Sequence, residues 1–383
     1  MKRADEARPL RVLFVITGLG LGGAERVVVD LADGLYAKGH KPMILYLSGD
    51  ALVLPRHQEI PVSCLRLEGM LGVPNAFFRL RSLIRTFKPD VVHSHLVHAN
   101  IFLRLARLFI RMQALVTTAH NTNEESRLRM WAYRCTNWLA DLFTNVSAEA
   151  VAAFERDGAV AKGKMMVVHN GIDAGRFSYD PGARDSVREM LGVADGETLL
   201  VSVGRLEPPK DFGNLVAALG YVCRIHTEWR CVIAGDGPMR RALMEQITAC
   251  GLGDRIHLLG VRSDVPSLLS AADFFILSSA WEGFPLVIGE AMACEVPVIA
   301  TDCGGVAEFL GDQARFLVPP RDCHALSRAV VEALGTTAQE RQLIGAANRR
   351  RILSNFSLDA TVDRWLEIYR SVCPDDADKP CAG

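Results

Sequence analysis

Short apolar runs alternate with longer stretches in which apolar residues recur every three or four positions. In the first half of the chain these runs cover residues 12–16, 43–47, 91–93, 115–119, 142–146 and 166–169. The pattern restarts after Asn170-Gly171-Ile172-Asp173, with runs at residues 199–203, 231–234, 256–259, 274–277, 298–300 and 316–318. Apolar strands separated by amphipathic helices are typical of parallel sheets whose two faces are both covered. The sequence therefore predicts an α/β protein with two parallel sheets.

Two doubly wound, Rossmann-like domains that face a cleft are the architecture we expect from this repeat. We place the first domain at residues 1–172 and the second at residues 173–355, with a linker at its start. A closing helix at residues 356–373 should return to the first domain, before a polar tail at residues 374–383. In such domains ligands bind beyond the carboxyl ends of the strands, so candidate chemistry is sought there.

Composition narrows the class of protein. The chain has 383 residues, 49% of them apolar, which excludes a disordered or fibrous protein. A net charge of −1 gives no electrostatic basis for coating nucleic acid, so we expect no nucleic-acid partner. No apolar run approaches the roughly 18 residues that span a bilayer, and residues 1–16 lack a signal-peptide core, so a cytoplasmic location is expected. The ten scattered cysteines indicate reduced thiols.

The charge is divided unevenly between the two halves. Residues 1–172 carry 22 basic and 15 acidic side chains, and residues 173–383 carry 21 and 29. A basic first half suits an anionic partner.

A glycine-rich loop follows the first predicted strand and opens a helix. Its glycines at 18, 20 and 23 match the dinucleotide fingerprint G-x-G-x-x-G. That pattern needs an acid near the end of the second strand, about 20 residues after the last glycine. The nearest candidate, Asp50, lies beyond that strand. An NAD-dependent oxidoreductase is therefore the weaker alternative, while phosphate binding at the helix N-terminus stays open for Gly22 and Gly23.

Charged residues follow two strands of the second half. Gly204 and Arg205 end one strand, Lys210 comes shortly after, and Glu282 and Glu290 stand eight apart after another strand. Two cations at a switch point suit a leaving diphosphate, and a carboxylate one turn inside a helix can accept hydrogen bonds from a ribose diol. The helix start between these acids presents backbone N–H groups; its residues are Gly283, Phe284, Pro285 and Leu286. A further glycine turn, at 304 and 305, leads to Glu308.

These motifs, in this order, resemble the retaining glycosyltransferases of family 4 (glycosyl transferases group 1), which have the GT-B fold. The resemblance spans residues 10–373 and rests on Gly-Gly-Ala-Glu at 22–25, Asn-Gly-Ile-Asp at 170–173, Val-Gly-Arg at 203–205 with Lys210, Ala-Gly-Asp-Gly-Pro at 234–238, the paired glutamates and Gly-Gly-Val-Ala-Glu at 304–308. It implies transfer of a sugar from a nucleotide-diphosphate sugar, a UDP-sugar in preference to GDP-mannose. The implied acceptor is a hydroxyl of a glycan or lipid-linked glycan in cell-surface polysaccharide or lipopolysaccharide biosynthesis.

The resemblance also assigns roles, with retention of anomeric configuration and no metal or other cofactor. It implies that Arg205 and Lys210 clamp the diphosphate, that Glu290 holds the ribose, and that Glu282 and residues 283–286 contact the donor sugar. His120 matches the histidine that the family places beside the donor sugar. The remaining donor-site positions are Gly22, Gly23, Gly204 and, around the base, Val261 and Arg262. A sugar-nucleotide-binding or epimerising protein on the same scaffold remains the second alternative.

Metal binding has two weak candidates. His93, His95 and His98 have a ligand-like spacing, but ordinary hydrogen-bonded histidines after a strand explain them better. Asp376 and Asp378 lie in the polar tail and are interpreted as solvated charge.

The acceptor side is predicted from arginines at helical spacing. Arg104, Arg107 and Arg111 recur among apolar residues over 101–115, and three more follow Phe77 and Phe78 at 79, 81 and 85. Such cationic amphipathic helices dock on anionic lipid headgroups. We therefore predict a peripheral site on the inner face of the cytoplasmic membrane; ordinary helices with an arginine-rich outer face are the alternative.

Overall fold

The computed structural model describes residues 8–122, 124 and 126–373. The chain forms two compact units, the first from Met1–Gly171 with Leu358–Gly383 and the second from Ile172–Ser357, as far as these ranges are described. Asp376 and Asp378 lie outside the described residues.

The first unit is a seven-stranded parallel sheet in the order β3-β2-β1-β4-β5-β6-β7. Its strands are β1 (Arg11–Ile16), β2 (Lys41–Tyr46), β3 (Val62–Cys64), β4 (Val91–His95), β5 (Leu115–Ala119), β6 (Leu142–Asn145) and β7 (Met166–Val167). Its first five helices are α1 (Gly23–Ala37), α2 (Val73–Phe87), α3 (Val97–Ala106), α4 (Arg127–Thr136) and α5 (Ala148–Arg156). The strand order reverses between β1 and β4, so this pair forms the switch point.

The apolar runs predicted from the sequence form the buried central strands of the structure. Residues 12–16 of β1 and all of β4 and β5 are buried, as expected of central strands covered by helices on both faces. The strand β3 was not predicted from the sequence, because it has three residues, Val-Ser-Cys, which are only partly buried at the sheet edge.

The second unit is a six-stranded parallel sheet in the order β10-β9-β8-β11-β12-β13. Its strands are β8 (Thr198–Val203), β9 (Trp229–Ala234), β10 (Ile256–Gly260), β11 (Phe274–Leu277), β12 (Val298–Thr301) and β13 (Leu317–Val318). Its helices are α6 (Pro181–Met190), α7 (Phe212–Val222), α8 (Arg240–Ala249), α9 (Val265–Ala271), α10 (Leu286–Ala293), α11 (Val306–Leu310), α12 (Cys323–Leu334) and α13 (Ala338–Asn355). Here the switch point is the pair β8 and β11.

The core of the second unit fills the space between its sheet and the flanking helices. Leu200, Ile233 and Phe274 on the strands pack in one cluster with Leu215 of α7 and Leu326 of α12. Burial of these side chains supplies the main stabilisation, about 2 kcal/mol for each large apolar side chain. The alternation of strands and helices therefore folds as the predicted α/β class.

The last helix, α14 (Leu358–Val372), belongs to the first unit. Val362 of α14 lies against Gly34 of α1, and Lys38 at the end of α1 forms ion pairs with Asp359 at 2.7 Å and Asp363 at 2.8 Å. The expected return of the C-terminal helix to the first domain is thus confirmed.

Candidate active site

The second unit's switch point brings two predicted site residues, Lys210 and Glu282, together. Arg205 lies in the loop after β8, next to Gly204, and Lys210 ends a short 3₁₀ turn, Pro208–Lys210. The segment after β11 runs beside this turn, because the Ala280 N–H donates to the Pro209 carbonyl at 2.8 Å. The carboxyl ends of two adjacent parallel strands thus place Lys210 and Glu282 next to each other.

Lys210 and Glu282 form a close ion pair. The Nζ of Lys210 lies 2.5 Å from Oε1 of Glu282, and both side chains are mostly buried. The same oxygen accepts a hydrogen bond from Ser279 Oγ at 2.7 Å, while Ser278 Oγ donates to the Lys210 carbonyl at 2.9 Å. Charge-assisted hydrogen bonds in a partly buried site hold both ends of the pair in one geometry. The ammonium is therefore fixed at the switch point.

Arg205 is held much less firmly. Its side chain is 63% exposed and pairs with Glu207 at 3.2 Å. An exposed pair of this kind contributes at most about 1 kcal/mol, so the guanidinium can exchange Glu207 for another anion at little cost. Of the two predicted clamp cations, Lys210 is thus fixed by its ion pair and Arg205 is adjustable.

The helix that carries Glu290 begins beside this pair. Pro285 is the N-cap of α10, and Glu290 lies one turn inside the helix, partly buried. Phe284 is buried, and its ring stacks on Phe309 with centroids 3.9 Å apart. Phe284 can therefore offer a ligand only its backbone, which agrees with the backbone role expected for residues 283–286.

Glycines allow the backbone to close around the pair. Gly304 has φ +58°, and a Cβ there would collide with the carbonyl of Glu282; the Gly305 N–H also donates to the Gly283 carbonyl at 2.8 Å. Gly235 lies against the carbonyl of Gly204 with φ +143° and leaves no space for a Cβ. These close approaches explain why both motifs need glycine.

The predicted base region lies in the loop after β10. Val261 is exposed, and Arg262 pairs with Asp264 at 2.5 Å, which raises the pKa of Arg262 and lowers that of Asp264 through their shared hydrogen bond. The Arg262 guanidinium is thus already committed to a neighbouring carboxylate.

In the first unit, the glycine-rich loop leads into α1. Gly22 is the N-cap, in extended conformation, and Gly23 is the first helical residue. The carboxylate of Glu25 folds back against Gly22, where it lies near the positive end of the helix dipole.

Three histidines of the first unit, His93 and His95 on β4 and His120 after β5, lie together. His95 Nδ1 and His120 Nε2 are 2.9 Å apart, and His93 bonds Tyr369 Oη and Thr118 Oγ1, each at 2.7 Å. Burial lowers the pKa of His120 to about 4 and also lowers the pKa values of His93 and His95. All three rings are therefore neutral at physiological pH. Among the described residues no group of three or more His, Cys, Asp or Glu side chains could hold a metal ion.

Arg104 contradicts the predicted acceptor or membrane surface. Its side chain is fully buried, donates to Thr117 Oγ1 at 2.6 Å and to Asn137 Oδ1 at 2.8 Å, and lies over the Phe143 ring. The prediction for Arg104 is therefore wrong, because helical spacing does not reveal which face of α3 is buried. Arg107 is partly buried and paired with Asp141 at 2.7 Å, whereas Arg111 is exposed beyond the end of α3.

The sequence did not indicate three residues that hydrogen-bond the predicted site residues. Ser278 bonds the Lys210 carbonyl, Ser279 bonds Glu282, and His95 bonds His120. Their common signal is a small or polar side chain directly at the carboxyl end of a buried strand.

Solved structures share the fold. HepE of Anabaena, solved with UDP-glucose, covers 94% of this chain and 100% of its own with a TM-score of 0.84 at 24% identity. WaaG, a glycosyltransferase of lipopolysaccharide biosynthesis, covers 94% and 99% with a TM-score of 0.72 at 17% identity. The fold is therefore that of the GT-B glycosyltransferases.

Sequence comparison identifies the family. The model for glycosyl transferases group 1 matches residues 183–351, and the model for glycosyltransferase family 4 matches residues 21–176. An Escherichia coli UDP-Gal:alpha-D-GlcNAc-diphosphoundecaprenol alpha-1,3-galactosyltransferase is 26% identical over 325 residues, 81% of this chain and 82% of the relative. The lipopolysaccharide core mannosyltransferase LpsB of Rhizobium meliloti is 27% identical over 250 residues, 62% of this chain and 70% of its own. Together the two models match most of the chain, which therefore belongs to glycosyltransferase family 4 (glycosyl transferases group 1) and is a glycosyltransferase.

Proposed function

We propose that this glycosyltransferase moves a sugar from a UDP-sugar to a hydroxyl of a lipid-linked or polysaccharide glycan, with retention at the anomeric carbon. The observation that carries the proposal is the Lys210–Glu282 pair at the switch point of the second sheet, beside the exchangeable cation Arg205. UDP is favoured because the Escherichia coli relative is named for UDP-Gal and HepE was solved with UDP-glucose. GDP-mannose is the alternative donor, since the Rhizobium meliloti relative is a mannosyltransferase.

The proposed chemistry needs charge stabilisation at the departing phosphate. As the bond between the anomeric carbon and the phosphate oxygen breaks, the acceptor oxygen bonds to the same face of that carbon, and the leaving phosphate takes the acceptor's proton. Negative charge grows on the diphosphate during this step, and the cations of Lys210 and Arg205 stabilise it more in the transition state than in the bound substrate. No covalent nucleophile and no metal ion enter this step.

Neighbouring residues bind the remainder of the donor. Glu290 accepts hydrogen bonds from the ribose hydroxyls, and residues 283–286 with Glu282 contact the sugar. In this proposal Val261 and Arg262 contact the base, and Gly22, Gly23 and His120 keep the donor-binding roles that the family resemblance implies. Oε1 of Glu282 already accepts two hydrogen bonds, so its second oxygen is the one proposed for a sugar hydroxyl.

Ligand binding tests the donor half of the proposal. Calorimetric titration with UDP, GDP, ADP and NAD should show the tightest binding for UDP, and Glu290→Ala should weaken UDP about tenfold or more. Glu245→Ala, an exposed carboxylate on α8, is the matched control and should leave binding unchanged. Tightest binding of NAD would overturn the proposal. Binding of UDP without sugar transfer to a diphosphate-linked lipid acceptor would instead favour a binding or epimerising protein.

A second observation favours an acceptor at a membrane surface. Leu71 is 97% exposed and Phe109 is 75% exposed, with Met70 and Phe78 also protruding. Phe77 connects the exposed residues of the α2 region with Phe109, because its ring lies 5.8 Å from the Phe78 ring and 6.1 Å from the Phe109 ring. We define this set, Met70, Leu71, Phe77, Phe78 and Phe109, as the apolar face.

Charge around the apolar face fits anionic lipid. Between residues 69 and 123 the chain has seven Arg or Lys side chains and a single acid, Asp90. Arg79, Arg81, Arg85 and Arg111 are exposed. Apolar side chains that enter the headgroup region bind a bilayer through burial of their surface, and neighbouring arginines add electrostatic attraction to anionic lipids. The structure contains no helix, within the residues it describes, of the length and apolarity that a membrane span requires.

Vesicle flotation tests the apolar face. Wild-type protein should float with vesicles that contain phosphatidylglycerol, and the double variant Leu71→Asp/Phe109→Asp should lose most of this binding. Leu343→Asp, an exposed leucine on α13, is the control and should bind like wild type. Wild-type protein that stays wholly unbound would overturn the membrane assignment and leave the donor site unaffected.

A further inference from the structure

A hydrogen bond between two histidine rings joins the ends of β4 and β5. His95 is the last residue of β4, His120 follows the last residue of β5, and Nδ1 of His95 lies 2.9 Å from Nε2 of His120. A neutral imidazole carries a proton on only one of its two nitrogens. One ring must therefore donate to the other, and the direction decides which nitrogen of His120 carries the proton.

The surroundings of His95 decide that direction. Its other nitrogen, Nε2, is buried and has no hydrogen-bond partner within the described part of the chain. We take a buried N–H without an acceptor to be costlier than a bare nitrogen lone pair, as orphaned backbone N–H groups are rarer in proteins than under-satisfied carbonyl oxygens. The His95 proton consequently sits on Nδ1 and is donated to Nε2 of His120. His120 then carries its own proton on Nδ1.

His95 is also fixed in orientation. The His93 ring lies 4.0 Å from it, and Phe14 lies 5.9 Å away. His93 is itself held between Tyr369 of α14 and Thr118 of β5. Rotation of His95 would require displacement of these packed rings, so the hydrogen bond to His120 is kept in one arrangement.

His120 itself is placed to act on a ligand. Its side chain is only partly buried, and the bond to His95 is the one hydrogen bond that its ring makes among the residues described. Burial keeps the ring neutral, because it lowers the pKa of His120 to about 4. The ring thus offers a ligand a single N–H donor, without a positive charge.

We propose that His95 is a positioning residue that holds His120 as its Nδ1–H tautomer, so that His120 donates a hydrogen bond to a hydroxyl of the donor sugar. This inference rests on the proposed function, which places His120 beside that sugar. An Nε2–H tautomer of His120 would present only a lone pair at Nδ1, and a hydroxyl could then act there only as a donor. His95 therefore determines whether Nδ1 of His120 donates a hydrogen bond to the sugar hydroxyl or accepts one from it.

The tautomer can be measured without any activity. In protein labelled with ¹⁵N-histidine, long-range ¹H–¹⁵N spectra distinguish protonated from bare ring nitrogens, and single His→Gln variants assign the signals. His120 should show a protonated Nδ1 and a bare Nε2 in the ligand-free enzyme. His95→Phe, which keeps an aromatic ring against His93, should convert part of His120 to the Nε2–H form. A protonated Nε2 in wild-type protein would overturn the inference.

Kinetics test the consequence for the sugar. The side-chain amide of His95→Asn reaches the position of Nδ1 and can donate to His120, so kcat should stay within about threefold of wild type, whereas His95→Phe should lower kcat about tenfold. The dissociation constant of UDP, which lacks the sugar, should stay unchanged in both. Tyr369→Phe removes a hydroxyl from the same cluster but leaves the His95–His120 bond, and it should keep the wild-type tautomer.

The outcomes separate this inference from the proposed function. Equal kcat values in His95→Phe and wild type would overturn the positioning role while sugar transfer remains established. If the tautomer is as expected but His120→Ala transfers sugar normally, the contact between His120 and the sugar is overturned, and the transferase assignment stands. Absence of transfer from every UDP-sugar would contradict the proposed function, and the spectra would still decide the tautomer.

Discussion

Lys210 and Glu282 come from two different loops, yet their charged groups are 2.5 Å apart, because β8 and β11 are neighbours in the sheet. Arg205, five residues before Lys210, is itself exposed and instead pairs with the partly buried Glu207. The two cations of the proposed clamp therefore contribute differently to the folded structure, although the proposal gives both the same role in the reaction.

This difference predicts separable effects of two substitutions. Arg205→Ala should lower kcat about tenfold to a hundredfold with an unchanged melting temperature, because an exposed pair adds little stability. Lys210→Ala should lower kcat by about a hundredfold or more and also lower the melting temperature, since it leaves the mostly buried Glu282 without its cation. Arg241→Ala, which breaks an exposed pair with Glu245, is the control for both measurements. Full activity in both clamp variants would rule out the clamp.

The turn at Gly304 predicts a further effect on the same site. Gly304→Ala forces a side chain into the left-handed region and against the Glu282 carbonyl, so Glu282 must move. We expect a loss of about 1–3 kcal/mol in the free energy of unfolding and at least a tenfold loss of kcat. Gly220→Ala on α7, where a Cβ meets open space, should be neutral or stabilising by up to about 1 kcal/mol. Chemical denaturation and steady-state kinetics test both variants, and an active, stable Gly304→Ala would contradict the geometry.

The buried position of Arg104 predicts a cost in stability for its removal. Arg104→Ala leaves Thr117 and Asn137 without their donor and opens a cavity beside Phe143. The free energy of unfolding should therefore fall by about 3 kcal/mol. Burial lowers the pKa of Arg104 to about 10, which still leaves it charged at neutral pH. Arg104→Met retains most of the side-chain volume, so it should lower the free energy of unfolding less than Arg104→Ala does.

Arg111→Ala, a change at an exposed arginine of the same segment, should stay within about 0.5 kcal/mol of wild type in urea unfolding. Equal stability of the Arg104→Ala and Arg111→Ala variants would place Arg104 on the surface after all.

The sequence pattern predicted the two sheets because their central strands are buried on both faces and so appear as continuous apolar runs. It also drew attention to Lys210, Glu282 and His120, since each lies in a segment that follows such a run. It could not show that Arg104 is inside, because the spacing of three and four that marks a helix face is the same for a buried and an exposed face. Nor could it show that His95 bonds His120, as this contact depends on the strand order β4–β5, which local pattern does not encode.

The buried histidines predict how the stability of the first unit depends on pH. Burial lowers the pKa of His120 to about 4 from an ordinary value of 6.5, so between these values the unfolded chain binds a proton that the folded chain excludes. The free energy of unfolding is therefore fully retained above pH 6.5 and falls as the pH decreases below it. For His120 alone the loss between pH 7 and pH 5 is about 2 kcal/mol, and His93 and His95 add to it in the same direction.

Urea unfolding followed by tryptophan fluorescence, to which Trp365 beside His93 contributes, measures this dependence at the two pH values. His120→Gln should reduce the difference between pH 7 and pH 5 by about 2 kcal/mol. Any general destabilisation by the substitution cancels, because each protein is compared with itself. A difference as large as that of wild type would mean that His120 is protonated in the folded enzyme at pH 5, and it could then not act as a neutral donor there.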